Sequence, residues 1–130
     1  MSTSYTVIFT EFVERHFVKS FRKKYKNAWD LTEKALYREF QSFDILLSKS
    51  IAEVIIDSPQ VSICKTEFRI AGTDVSRHAS GNRCIVALDK EKSMIFVLLV
   101  YHKNDIGKGN ETQNWKQIIK ENYPDYRDLC

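Results

Sequence analysis

Arg83-Cys84-Ile85-Val86-Ala87-Leu88, then Asp89-Lys90-Glu91-Lys92-Ser93, then Met94-Ile95-Phe96-Val97-Leu98-Leu99-Val100-Tyr101 is the stretch on which the fold turns. Two strand-length apolar runs flank five residues of polar turn, the pattern of a β-hairpin. The second run is apolar at every position, so it is expected to be buried on both faces and central in its sheet. At eight residues it is strand-sized, far below the ~18–20 apolar residues a membrane span needs.

Upstream of the hairpin, Val61 to Ile70 reads as another strand, with Lys65, Glu67 and Arg69 placing charge along one face. The polar segment Gly72 to Asn82 joins it to the hairpin as a loop. Ser58-Pro59 marks a break before that strand. Ile51 to Ile56 fits either a helical turn or a short strand, and periodicity does not choose between them.

The first half is helical apart from an alternating opening strand at residues 4–9, with Tyr5, Val7 and Phe9 on one side. Thr10 is placed to cap the helix that follows, whose apolar face is Val13, Phe17, Phe21 and Tyr25. Asp30 with Glu33 resembles a capping box opening a second helix. Its buried stripe is expected to be Leu31, Ala35, Leu36, Phe40, Phe43 and Leu47. A last helix covers about Thr112 to Asn122, with Trp115, Ile118 and Ile119 inward. The order is β-α-α-β-β-β-α, an α+β domain over residues 1–130 with no linker or repeat to divide it.

Composition agrees with a globular chain: 43% apolar, 28% charged and few glycines and prolines. The polar start Met-Ser-Thr-Ser-Tyr has no basic n-region or apolar h-region, which argues against a secretory signal and for a cytoplasmic protein. Cys64, Cys84 and Cys130 form no CxxC pair and no His-spaced cluster, so reduced thiols are expected, with no zinc site. No metal-ligand spacing, phosphate-binding glycine loop or GxSxG elbow is present, and no cofactor is expected.

Net charge is +3, from 20 Lys and Arg against 17 Asp and Glu, and its placement says more than its size. Lys65 and Arg69 lie on the strand before the loop, Arg77 and His78 in the loop, Arg83 at the start of the hairpin, and His102-Lys103 at its end. In a hairpin turning near residue 91, residue 83 lies across from about 99 or 100. Arg83 and His102-Lys103 therefore share the open end of the sheet, at a solvent-facing edge, and the Arg77-His78 loop reaches it too. Arginine forks bind phosphate oxygens and stabilise charge developing on them. An imidazole or a lysine beside other cations takes a proton from an RNA 2′-hydroxyl, and another protonates the leaving 5′-oxygen. Such a set favours RNA over DNA, which lacks the internal nucleophile.

Each of these residues taken alone is more often a solvated strand end than a ligand. His16 reads as structural or solvent-facing, and Arg22 to Lys26 as an exposed helix end. Trp29, Trp115 and Tyr101 read as core. Arg83 and Lys103 depart furthest from the bland reading, because their positions meet in the expected sheet.

Gly81-Asn82-Arg83-Cys84-Ile85-Val86-Ala87-Leu88 and Val97-Leu98-Leu99-Val100-Tyr101-His102-Lys103-Asn104-Asp105 resemble two segments of the RelE/ParE superfamily of toxins. These are a Gly-x-Arg-strand segment and a closing apolar strand ending in Tyr-x-Lys-Asn-acid. The nearest look is to the RelE and HigB types, over residues 61–106. The resemblance implies an N-terminal strand, two helices on a curved antiparallel sheet and a C-terminal helix. It also implies a metal-independent mRNA endoribonuclease, acting free or on the ribosome, with an antitoxin protein as partner. Arg83 would then hold the scissile phosphate, with Lys103 and His102 acting beside it. Lys65, Arg69, Arg77 and His78 would contact the substrate. The superfamily also holds ParE-like gyrase inhibitors, and a domain of this fold can be a protein-interaction module, so fold alone does not separate these functions.

Overall fold

The computed structural model describes residues 4–130; Met1 to Thr3, part of the polar start, lie outside it. Five strands form one sheet in the order β1-β5-β4-β3-β2. They are β1 (Thr6–Phe9), β2 (Ala52–Asp57), β3 (Val61–Phe68), β4 (Asn82–Asp89) and β5 (Met94–His102). Ile51–Ile56 is thus resolved in favour of a strand, and the sheet has one more strand than the unambiguous runs supplied. The sheet is mixed rather than wholly antiparallel, because β1 runs parallel to β5 while the other neighbours are antiparallel. A strand reaching its neighbour through a helical layer can be parallel, which a tight hairpin forbids.

Four helices lie on one side. Glu11–Val13 (α1), a π-helical stretch Glu14–Val18, and α2 (Lys19–Tyr25) succeed one another, followed by α3 (Asn27–Gln41) and α4 (Phe43–Ser48). Thr10 caps α1 as expected, its hydroxyl accepting from the Val13 N–H at 3.1 Å. The expected Asp30–Glu33 capping box does not form, since α3 opens at Asn27 after Lys26 at φ 52°. Glu33 instead accepts from Trp29 Nε1 at 2.9 Å. Ser42 interrupts what the stripe suggested was a single helix. Leu31 is 60% exposed, and Thr32 takes the inward position. Its hydroxyl donates to the Ala28 carbonyl and accepts from the Ala71 N–H, tying the loop after β3 to α3.

Side chains of Trp29, Leu36, Phe40, Phe43, Phe68, Cys84, Val86, Val97 and Val100 fill the space between these helices and the sheet. The opposite face is closed by α6 (Glu111–Asn122), where Ile63, Ile85, Leu98, Leu99, Trp115 and Ile119 pack together. β4 and β5 thus bury both faces, which is why their sequences lack alternation. No helix among the described residues is long and apolar enough to cross a membrane.

Candidate functional site: a charged cleft on the helix α6 face

The hairpin is bulged: Val86 faces Val97, but Ile85 faces Leu99, leaving Leu98 as the extra residue. This one-residue shift brings Arg83 opposite Tyr101, rather than 99 or 100, and Asn82 opposite His102. On β3, Glu67 is the cross-strand neighbour of Arg83. Glu67, Arg83 and Tyr101 therefore form a row on the α6 face of the sheet.

Glu67 and Arg83 of that row form the floor of a cleft of about 840 Å³, into which Lys65, His78, Lys103 and Glu111 also project. Arg83 does not stand at a solvent-facing edge. β4 is the middle strand, and the residue is only 3% exposed. Its Nη2 lies 3.0 Å from Glu67 Oε2 and its Nη1 donates to the Asn82 carbonyl at 3.1 Å. Its Nε is buried without a protein partner among the described residues. The same Glu67 oxygen lies 2.7 Å from His78 Nδ1. With Nδ1 donating to the carboxylate, Nε2 of the neutral ring is left as an acceptor in the cleft. His78 sits on the short helix α5 (Arg77–Ser80), which is capped by Ser76 and ends on Gly81 at φ 77°.

Across the cleft, Glu111 at the start of α6 accepts from the Tyr101 hydroxyl at 2.7 Å and pairs with Lys65 Nζ at 3.3 Å. Burial pushes the Glu111 carboxyl up, but the Tyr101 hydrogen bond and the Lys65 charge outweigh it, and the net shift is down. Burial, reinforced by the adjoining carboxylate, pushes the Tyr101 hydroxyl well above its usual range, so it stays a donor. Lys103 makes no ion pair among the described residues, and its backbone N–H is held by the Gly81 carbonyl at 2.8 Å. One wall is apolar, formed by Leu47, Ile51 and Val54.

Of the expected basic residues, Lys65, His78, Arg83 and Lys103 meet in this cleft. Arg69, Arg77 and His102 do not. β3 ends at Phe68, so the alternation that would carry Arg69 to the cleft face lapses, and its guanidinium donates to the Val75 carbonyl. Arg77 turns to α3, where it pairs with Glu39 at 2.9 Å. His102 is one residue beyond Tyr101 on the same strand and so faces the opposite side of the sheet.

Two carboxylates that the scattered sequence positions concealed, Glu67 and Glu111, are central to the site. The charge alternation along β3 was the available signal for Glu67. Nothing local marks Glu111, because its role depends on where α6 docks. Together with Glu53 they match Lys65, Arg83 and Lys103 charge for charge. Tyr101, Trp29 and Trp115 are core residues as expected, His16 is exposed, and Cys64 and Cys84 are buried free thiols. Among the described residues no three His, Cys, Asp or Glu side chains are grouped to hold a metal ion.

No family model and no curated protein sequence matches the chain. Among solved structures it is similar to the RelE–RelB complex of Pyrococcus horikoshii OT3, with a TM-score of 0.52 at 10% identity, covering 79% of this chain and 99% of that one. A mutant of the E. coli toxin RelE in the free state aligns at 20% identity with a TM-score of 0.46, covering 92% of this chain and 99% of that one. At 10% identity the likeness to the archaeal structure is one of fold. With its opening strand, its helical layer and its sheet closed by a C-terminal helix, this chain has a RelE-like fold.

Proposed function

We propose that the chain is the toxin of a toxin–antitoxin pair and cleaves single-stranded RNA, with translated messages as substrate, free or on the ribosome. The observation that carries this reading is Glu67, which holds a buried guanidinium and an imidazole on one carboxylate oxygen at the floor of an open cleft. Arg83 binds a non-bridging oxygen of the scissile phosphate, and Lys65 a neighbouring backbone oxygen. His78 Nε2 takes the proton from the 2′-hydroxyl, whose oxygen attacks phosphorus. The bond to the 5′-oxygen breaks, and Lys103 returns a proton to that leaving oxygen. The products are a 2′,3′-cyclic phosphate and a free 5′-hydroxyl, with no redox change and no metal in the proton transfers. His102, Arg69 and Arg77 have no part in these steps.

The partner would be an antitoxin that covers the cleft, as the archaeal RelE of similar fold was solved in complex with RelB. The cytoplasm, where messages are translated, is the matching compartment.

A second reading is supported by the charge balance of the cleft. Arg83 is already paired, and Glu53, Glu67 and Glu111 offset its cations, as suits a protein-interaction module without activity. Induced expression in a bacterial host, followed by growth and message integrity, separates the readings. Growth arrest with new cuts, lost in His78→Ala and Lys103→Ala, supports RNA cleavage. Arrest with intact messages and failing DNA supercoiling points to a gyrase inhibitor, and healthy growth with intact messages favours the interaction module.

A further inference from the structure

His102 and two residues of the basic helix end, Lys24 and Tyr25, stand outside the Arg83 cleft, yet the fold brings them to one place. Between the α1–α2 helical run and the end of β5 lie two adjoining hollows of about 300 and 80 Å³, sharing Ser20, Phe21, His102 and Asp105. Together they reach the lower end of the range for small-ligand sites.

We infer that this groove takes one nucleobase of single-stranded RNA, belonging to the nucleotide next to the one whose phosphate Arg83 holds. The inference rests on the RNA reading above and adds a second subsite to it. His102 is fixed there by two separate devices. Its Nδ1 accepts from the Asn104 N–H at 3.1 Å, which leaves the ring proton on Nε2. Its ring also lies against Gly81, where a Cβ would stand 2.5 Å from Nε2. Gly81 therefore serves both its φ of 77° and the seating of this imidazole.

Beside it lies the amide of Asn82, a residue only 4% exposed whose Oδ1 has no protein partner among the described residues. A side-chain amide carries a donor and an acceptor together, the complement of a base edge. Phe21 and Tyr25 supply stacked rings 6.1 Å apart, with Lys24 Nζ 5.3 Å from the Tyr25 centroid. Aromatic faces with an adjoining cation are the usual platform for single-stranded nucleic acid. Asp105 decides between base and phosphate, since a carboxylate in the groove repels a phosphate but accepts from an exocyclic amino group.

The two sites lie on opposite faces of the sheet and are joined through one residue, because Arg83 donates to the carbonyl of Asn82. An RNA strand passing around the sheet end at His102-Lys103 meets both.

The test is a ligand-observed NMR titration of the full chain with adenosine, cytidine, guanosine and uridine, which carry no phosphate. Wild type, Ser20→Phe and Asn82→Ala are compared. Ser20 is exposed on its helix, so phenylalanine there fills the groove without entering the core. Nucleoside binding is expected to be unequal among the four bases and weakened roughly tenfold in Ser20→Phe, as the loss of one stacked base predicts, and in Asn82→Ala, as the loss of a base-edge contact predicts. Absence of nucleoside binding, or binding that Ser20→Phe leaves unchanged, overturns the inference. Because this readout involves no cleavage, it fails or stands separately from the ribonuclease reading.

Discussion

Arg83→Ala tests the site and the fold at once, and the structure says how far the two effects mix. The substitution removes a guanidinium whose side chain is 4% exposed, with its ion pair to Glu67 and its hydrogen bond to the Asn82 carbonyl. Hydrogen bonds to charged groups contribute roughly 1.5–3 kcal/mol each. Glu67 is 30% exposed and keeps its contact with His78, so water recovers part of its loss. The expected net cost is about 2–4 kcal/mol, below the full penalty of stranding a buried charge. For a chain of this size that lowers Tm by roughly 8–16 °C.

Loss of toxicity in Arg83→Ala would therefore confound unfolding with lost chemistry. Arg83→Met separates them. It fills the same space without charge, so it shares the loss of the Glu67 pair but leaves no cavity beneath the cleft. Urea denaturation of the two variants, with message integrity after induction, makes the assay. Arg83→Met is expected to unfold at a higher urea concentration than Arg83→Ala, stay folded under the assay conditions, and cut no message. An unchanged urea midpoint in Arg83→Ala would show that the guanidinium is not held in the buried pair. Message cutting by Arg83→Met at the wild-type level would refute its role at the phosphate.

Leu98→Ala, which removes a fully buried side chain at the bulge in β5, should destabilise the chain by roughly 2–5 kcal/mol through a core cavity, read by chemical denaturation. Gly81→Ala should cost about 1–2 kcal/mol from its positive φ and the His102 ring, and adding His102→Ala should recover part of that loss in thermal melts. Glu111, with its pKa lowered below the ordinary 4.5, contributes stability that is present above that value and lost as pH falls through the lowered one. Tyr101→Phe should shrink this acid-sensitive component and cost about 1 kcal/mol near neutral pH, and pH-dependent melts that superimpose with wild type would contradict it.

Periodicity and apolar run length sufficed to read the helical first half, the hairpin, the closing helix and most of the core, because each depends on residues a few positions apart. Trp29 and Trp115 at helical spacing, and the uninterrupted run Met94 to Tyr101, could hardly be placed other than inside. The helix start at Asn27 and the exposure of Leu31 were not legible, since Lys26 reverses the chain in a conformation that no local pattern announces.

For the site, the amino-acid sequence by itself determined which cations stand near the strand ends and that Arg83 and Lys103 come together. Only the tertiary structure decided which face each side chain takes. One bulge at Leu98 sets the register, and register sends Arg83 and Tyr101 to the α6 side and Asn82 and His102 to the other. Only docking of α6 and pairing of β3 with β4 could bring Glu111 and Glu67 among those cations. Charge balance in a cleft depends on long-range packing, and long-range packing is what a linear reading of residue types does not contain.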